Sequence, residues 1–280
     1  MQRNPMDPTS PQFQYVNGQM REHFADLFAT FEQRNAEALL LSGWTLDQPY
    51  GPHPREVMDG LSAGPQAFGT VVYFHAGYWQ SREKSQFRFL APAFQAMGWH
   101  TVLVNYPLCP EVSVAQIVDS ASRALAQVTR QRQDQGEHGP IVLCGHSAGA
   151  HLAIELALQQ AAAQANAPIA GVLAISGVYD LHPLIETSLN EKLQMDAASA
   201  QACSPTHRVR AGAAPALFVW GAAETSAFHV QSRDMAVLWQ QQDNEAECLA
   251  IEGADHFSVL LDLIAPDGSI AHTLSHWAGR

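Results

Sequence analysis

Apolar and polar positions follow two different periods along this chain. Short apolar runs rich in β-branched and aromatic residues are typical of buried strands, and they occur at residues 70–74, 101–104, 141–144, 169–175, 216–220 and 248–251. Apolar residues three and four apart predict helices over residues 20–41, 86–97 and 114–128, and an Ala-rich helix that ends at about residue 165. Strands alternating with helices of about ten residues or more predict an α/β fold, with a mostly parallel central sheet and helices on both faces.

The same pattern predicts one domain with a short arm. Residues 1–15 are polar and interrupted by prolines, so we expect a loose N-terminal arm that is neither a signal peptide nor a membrane anchor. Residues 16–280 form the single domain. Residues 179–207 carry no strand pattern and predict a small inserted cap of helix or loop. No apolar stretch reaches the ~20 residues of a membrane span.

Composition narrows the partners that we expect. A net charge of −12 over 280 residues argues against nucleic acid or an anionic membrane surface. The four cysteines form no CxxC pair, which favours a reducing, cytoplasmic location. We expect a small-molecule substrate as the partner, and leave homodimer formation open.

A G-x-S-x-G sequence follows the strand at residues 141–144. It reads Gly145-His146-Ser147-Ala148-Gly149 and leads directly into the Ala-rich helix. This strand–turn–helix context is typical of the nucleophile turn of serine hydrolases, where crowding requires small residues two before and two after the serine. We therefore predict Ser147 as the nucleophile, at a helix N-terminus that favours developing negative charge.

Such a nucleophile needs two N–H donors for the oxyanion. The residue after the serine, Ala148, supplies one. The loop after the strand at residues 70–74 reads His75-Ala76-Gly77-Tyr78-Trp79, and we expect the N–H of Gly77 or Tyr78 to supply the other. We expect His75 to anchor this loop, and we assign His75 and Trp79 to the substrate pocket. Tyr78 and Trp79 are equally typical of core aromatic residues, but at least one of them should form a pocket wall.

The base and the acid are expected in the chain order serine, carboxylate, histidine. His256 follows the strand at residues 248–251 directly, as the base should. Glu224 is the first carboxylate after the strand at residues 216–220 and is the preferred acid. Asp180, after the preceding strand, is the alternative, whereas Asp255 adjoins the histidine and cannot easily turn onto its imidazole. No cofactor or metal is required.

Four other histidines are candidates that we set aside. His146 and His151 flank the serine, but both are more typical of packing or hydrogen-bonded residues. His272 and His276 lie four residues apart without a third ligand, which indicates surface residues rather than a zinc site.

With these residues in place, the chain resembles the kynurenine formamidase (arylformamidase) group of the esterase/lipase superfamily, which has the α/β-hydrolase fold. The group's HGGxW hallmark reads HAGYW here. The resemblance runs from about Phe13 through NYPLCPEVSVAQI, GHSAGAHLA, SGVYDLHPL, TSLNEKLQM and GADHF. It implies hydrolysis of an aryl formamide such as N-formylkynurenine, with Ser147, Glu224 and His256 on the triad. It also places Gly77, Tyr78 and Ala148 on the oxyanion hole.

The chain departs from the group at two positions. Ala76 replaces a glycine of the hallmark and is expected to narrow the acyl side of the pocket, so that short acyl groups are preferred. Glu224 replaces the aspartate common in the group. A short-chain carboxylesterase, a thioesterase and an inactive binding scaffold are the alternative functions.

Overall fold

In the computed structural model, which describes residues 7–163, 169–265 and 268–278, eight strands form one sheet in the order β1-β2-β4-β3-β5-β6-β7-β8. The strands are Trp44–Pro49 (β1), Val57–Leu61 (β2), Gly69–Phe74 (β3), Trp99–Val104 (β4), Ile141–His146 (β5), Ile169–Ile175 (β6), Ala216–Gly221 (β7) and Ala246–Ile251 (β8). The pairs β1–β2 and β2–β4 are antiparallel and the others are parallel. The predicted mostly parallel sheet is confirmed.

Helices cover both faces of the sheet. They are Pro11–Tyr15 (α1), Phe24–Ala38 (α2), Ala91–Ala96 (α3), Val114–Asp134 (α4), Ala148–Ala163 (α5), Asn190–Leu193 (α6), Ala197–Ala202 (α7), Ser226–Gln240 (α8), Val259–Leu263 (α9) and Ser269–Ala278 (α10). One apolar core lies between the sheet and α4, α5 and α8. A second lies between the sheet and α2, α3, α9 and α10. The predicted end of the Ala-rich helix at residue 165 lies outside the described residues.

Two strands were missed because their patterns are not apolar. The edge strand β1 is mostly exposed. Its neighbour β2 contains Asp59, which is fully buried. Lys84 Nζ and Arg88 each approach a different oxygen of Asp59 at 2.8 Å, and this pairing compensates a buried charge that would otherwise exclude the segment from a core.

Two predicted helices differ from the observed elements. The helix predicted over residues 20–41 is shorter in the structure, where it is α2, Phe24–Ala38. Beyond its end, the N–H groups of Leu40 and Leu41 donate to the carbonyls of Glu37 and Ala38, three residues back instead of the four of an α-helix. The segment 86–97 divides into a 3₁₀ helix, Lys84–Leu90, and α3. Pro92 has no N–H group to donate to the carbonyl of Arg88, four residues back. That carbonyl accepts from the N–H of Ala91 instead, which is the 3₁₀ pattern.

The N-terminal arm is not loose over residues 7–15, and this prediction was wrong. Ser10 caps α1 by accepting from the N–H of Phe13, and Tyr15 is buried. The backbone carbonyl of Gln14 accepts from Thr225 Oγ1 at 2.6 Å, and its side-chain oxygen accepts from the N–H of Ala227 at 2.9 Å. Polar hydrogen bonds, which leave no hydrophobic pattern, therefore attach this segment to the start of α8. Residues 1–6 lie outside the described residues.

The segment 179–207 contains no strand in the structure. It is built from α6, α7 and two 3₁₀ helices, His182–Glu186 and Pro205–His207. It buries Leu184, Leu193 and Ala200 in the core on the α5 side of the sheet.

Candidate active site

The turn between β5 and α5 holds Ser147 in a left-handed conformation, with φ of 57°. Its N–H donates to the carbonyl of Ile175 at 2.8 Å. A Cβ atom on Gly145 would lie 2.1 Å from the carbonyl oxygen of Gly149, and one on Gly149 would lie 1.9 Å from that of Phe74. Both positions therefore exclude any side chain, and the turn presents Ser147 at the N-terminus of a buried helix.

Glu224 and His256 are in contact at the same edge of the sheet. Glu224 Oε2 lies 2.8 Å from His256 Nδ1, and both side chains are almost fully buried. The other oxygen, Oε1, accepts from Ser176 Oγ at 2.5 Å and from the N–H of Gly221 at 2.8 Å. These two donors fix the orientation of the carboxylate, so that Oε2 faces the imidazole.

The alternative acids are engaged elsewhere. Asp180 is about half exposed, and its Oδ1 accepts from the N–H of His182 at 3.0 Å. Asp255 Oδ1 accepts from the N–H groups of Phe257 and Ser258 at 3.0 and 2.9 Å. The side chain of Asp255 therefore orders the loop that carries His256.

The oxyanion-hole candidates lie in two turns with unusual backbones. Gly77 and Tyr78 have φ values of 130° and 49°, and a Cβ atom on Gly77 would lie 2.1 Å from the carbonyl of Ser81. Ala148 is the first residue of α5, where N–H groups have no acceptor within the helix. Among the residues that the structure describes, no acceptor is found for the N–H of Gly77, Tyr78 or Ala148. These groups can therefore donate to a substrate oxygen.

His75 and Trp79, which the sequence assigns to the substrate pocket, are fully buried, and their contacts place them behind the oxyanion loop. His75 Nδ1 lies 2.7 Å from the carbonyl of Ala76, and its ring stacks on Tyr106 at 4.1 Å. Tyr106 Oη in turn donates to the carbonyl of His75 at 2.7 Å. The ring of Trp79 meets His151 edge-on at 5.0 Å. Both side chains support the loop from within the core.

The side chain of Ala76 is also buried, in the core on the α2 side of the sheet. The extra methyl group therefore contacts core residues rather than space that a substrate can enter. The expectation that Ala76 narrows the acyl pocket was wrong for this reason.

Burial of His75 also gives a testable pH dependence. Desolvation lowers the pKa of His75 to about 3, whereas the unfolded side chain titrates near ~6.5. The unfolded chain therefore binds a proton that the folded chain does not, and the free energy of unfolding falls as the pH falls below ~6.5. The variant His75→Asn keeps an N–H donor for the carbonyl of Ala76 but cannot bind a proton. Between pH 6 and pH 4 we therefore expect the free energy of unfolding of this variant to fall less steeply than that of wild type, by about 1.4 kcal/mol per pH unit. Urea unfolding of both proteins at each pH measures the effect, and equal slopes would contradict the assignment.

His146 and His151 are hydrogen-bonded core residues, as their positions suggested. His146 Nε2 lies 2.6 Å from the carbonyl of His256, and desolvation holds the pKa of His146 well below its ordinary value. The neutral ring therefore donates to that carbonyl and supports the backbone of His256. His151 Nε2 donates to the carbonyl of Cys203 at 2.8 Å.

The N-terminal segment contributes residues that the sequence did not indicate. Tyr78, which is half-buried, donates its hydroxyl to the carbonyl of Tyr15. The Tyr15 ring packs 5.7 Å from Phe228, whose ring lies 4.6 Å from His256. Gln231 Nε2 donates to the Tyr15 hydroxyl at 2.8 Å. The segment therefore connects the Tyr78 loop with α8, and one aromatic ring, that of Phe228, lies between Tyr15 and His256.

Within the described part of the chain, no group of three or more His, Cys, Asp or Glu side chains is placed to hold a metal ion. Nor does any helix of that part have the length and apolar character needed to cross a membrane.

A strained serine before a buried helix, with a buried carboxylate–histidine pair at the same sheet edge, defines the site of an α/β hydrolase. Residues 71–260 match a family described by the alpha/beta hydrolase fold, and the chain belongs to that family. Within it, the chain is similar to the kynurenine formamidase of Danio rerio, with 29% identity over 84% of this chain and 82% of the relative.

Solved structures of similar proteins have the same fold as this chain. A crystal structure from Silicibacter sp. TM1040, provisionally named a thioesterase, has 30% sequence identity and a TM-score of 0.82, covering 93% of this chain and 97% of that one. An esterase from Pyrobaculum calidifontis has 18% identity and a TM-score of 0.72, over 96% and 98% of the two chains. At that identity the second likeness concerns the fold alone.

Proposed function

We propose that this hydrolase cleaves small aryl formamides through an acyl-enzyme formed on Ser147. The observation that carries the proposal is the buried contact of 2.8 Å between Glu224 Oε2 and His256 Nδ1, beside the strained turn that holds Ser147. A histidine oriented by a carboxylate presents its other nitrogen as a base, and a serine at such a turn is its natural proton donor.

The mechanism follows from these roles. His256 accepts the proton of Ser147 Oγ as that oxygen attacks the carbonyl carbon, and Glu224 stabilises the resulting imidazolium. The N–H groups of Ala148 and of Gly77 or Tyr78 stabilise the oxyanion. His256 then protonates the departing aryl amine, and a water molecule activated by His256 releases the acyl group and restores Ser147.

The substrate class rests on similarity to kynurenine formamidases. The Danio rerio relative carries that name, and this chain covers most of its length. We therefore propose N-formylkynurenine as the reference substrate.

A hydrolysis panel tests the substrate class. We expect kcat/KM to be highest for N-formylkynurenine or a simple aryl formamide, lower for p-nitrophenyl acetate and lowest for acyl thioesters. Activity on the ester without measurable release of formate from any formamide would contradict the formamidase assignment, while leaving the serine-hydrolase mechanism in place. Absence of all hydrolysis would contradict both.

A thioesterase is the second candidate, because the provisionally named thioesterase of Silicibacter sp. TM1040 shares 30% identity and nearly the whole fold. The thioester arm of the same panel separates the two functions. A kcat/KM for an acyl thioester above that for the formamides would favour it.

We also propose a small-molecule partner and a reducing compartment such as the cytoplasm. The acidic net charge of −12 supports the first proposal, and the four free cysteines support the second.

A further inference from the structure

Arg82 lies between the oxyanion loop and the loop that carries His256. Its guanidinium carbon lies 4.7 Å from the centre of the Phe257 ring and 4.3 Å from that of Phe28 on α2. The Phe257 ring is itself 5.2 Å from the ring of His256. Arg82 also follows Ser81, whose carbonyl is in close contact with Gly77. One aromatic ring therefore separates this cation from the imidazole of the candidate base.

Arg82 lacks the partner that comparable cations have. Lys84 and Arg88, two and six residues further along, both pair with the buried Asp59. Among the residues that the structure describes, no carboxylate forms an ion pair with Arg82 and no acceptor receives a hydrogen bond from its side chain. Burial lowers the pKa of the Arg82 guanidinium, so its charge is held at a cost in desolvation.

The contacts with Phe28 and Phe257 leave the donors of Arg82 available. A cation–π contact uses the face of the guanidinium, whereas its N–H groups point outward in the plane of the group. That planar fork matches a carboxylate in a bidentate arrangement. Arg82 also lines a cavity of about 270 Å³ between α2 and the 3₁₀ helix at Lys84–Leu90, and the residues that line this cavity do not include Ser147, Glu224 or His256. Glu32 lines the same cavity but is exposed, so solvent screens its charge.

We propose that Arg82 binds a carboxylate, or a comparable anionic group, on the leaving group of the substrate. This inference rests on the proposed hydrolase function and refines it, because it assigns the enzyme to acidic aryl amides and esters. Phe257 and Phe28 hold the guanidinium in place, and the anion contacts its free edge while the scissile carbonyl lies at Ser147. This contact involves a part of the substrate that does not react, so its loss is expected to raise KM and to leave kcat nearly unchanged.

Matched substrate pairs test the proposal. The probes are 3- and 4-formamidobenzoate, each against its neutral carboxamide, and 3- and 4-acetoxybenzoate against the corresponding carboxamides. We expect wild type to prefer the better-placed carboxylate by about ten- to a hundredfold in kcat/KM, the range of a charge-assisted pair. Arg82→Met should abolish the preference by raising KM for the carboxylates. Its kcat/KM for the neutral substrates should stay within about threefold of wild type, because the methionine side chain replaces the packing of the aliphatic part of Arg82. Arg82→Lys should retain part of it.

The controls separate recognition from structure. Arg34→Met removes an exposed charge from the same helix that carries Phe28, and should leave the preference unchanged. Equal losses on charged and neutral substrates in Arg82→Met, with a lowered Tm, would overturn the proposal in favour of a structural role. No preference in wild type for either scaffold would also overturn it. A preference for anionic esters without any formamide hydrolysis would support the role of Arg82 and contradict only the formamidase assignment.

Discussion

Ser147→Ala is expected to lower kcat by about 10⁶-fold for every substrate that wild type hydrolyses. The alanine keeps the small volume required between Gly145 and Gly149, and it removes only the hydroxyl. The remaining groups, including the free N–H donors of Gly77, Tyr78 and Ala148, retain a residual acceleration of about 10³–10⁴ over water. The loss should appear in kcat with little change in the Tm, because no packing or charge is removed.

Covalent labelling provides the independent measurement. A fluorophosphonate should modify wild type at Ser147 alone, as identified by peptide mass, and should not modify the Ser147→Ala protein. Ser122→Ala is the matched control, because the Ser122 hydroxyl lies in α4 and donates to Gln159 near the end of α5, far along that helix from Ser147; it should be labelled and active as wild type. Labelling at a different serine, or an active Ser147→Ala enzyme, would contradict the assignment of the nucleophile.

The sequence predicted the parts of the fold that have an apolar signal. The parallel strands β3 to β7 are almost continuous apolar runs, since helices cover both faces, and their predicted positions agree with the structure. The second edge strand, β8, is partly exposed, and only its residues 248–251 were predicted. The edge strand β1 has no such run, and β2 contains Asp59 at its centre. That aspartate is buried because it pairs with Lys84 and Arg88 and accepts from the backbone N–H of Asp47, and those partners come from other parts of the chain. Local pattern could not reveal them.

The candidate site shows the same division. Ser147, Glu224 and His256 each follow a strand directly, so the order of the strands brings them to one edge, and each could be predicted from its position along the chain. His75 and Trp79 also follow a strand, but the sequence does not show that Trp79 has a left-handed backbone, nor that both rings are fully buried. Tyr15 could not be predicted, because hydrogen bonds rather than an apolar pattern hold it near Phe228.

Glu224→Gln is expected to lower kcat by about 10⁴-fold, the loss known when the triad carboxylate becomes an amide. The structure gives a specific reason. Ser176 Oγ and the N–H of Gly221 both donate to Oε1, so the amide of the variant must keep its oxygen at that position. Its NH₂ group then faces His256 Nδ1 and donates to it. The imidazole is forced to carry its proton on Nε2, and it can no longer accept the proton of Ser147.

Two variants distinguish this tautomer effect from a loss of shape. Glu224→Asp keeps the charge but shortens the side chain by one methylene group, so it should lose less activity than Glu224→Gln. Asp180→Asn, which changes the alternative acid, should stay within about threefold of wild type, because the half-exposed Asp180 is engaged with His182 and changes at such positions have small effects. The measurement is kcat for p-nitrophenyl acetate and for an aryl formamide, with Tm as the check on folding. A larger loss in Asp180→Asn than in Glu224→Gln would transfer the role of the acid to Asp180.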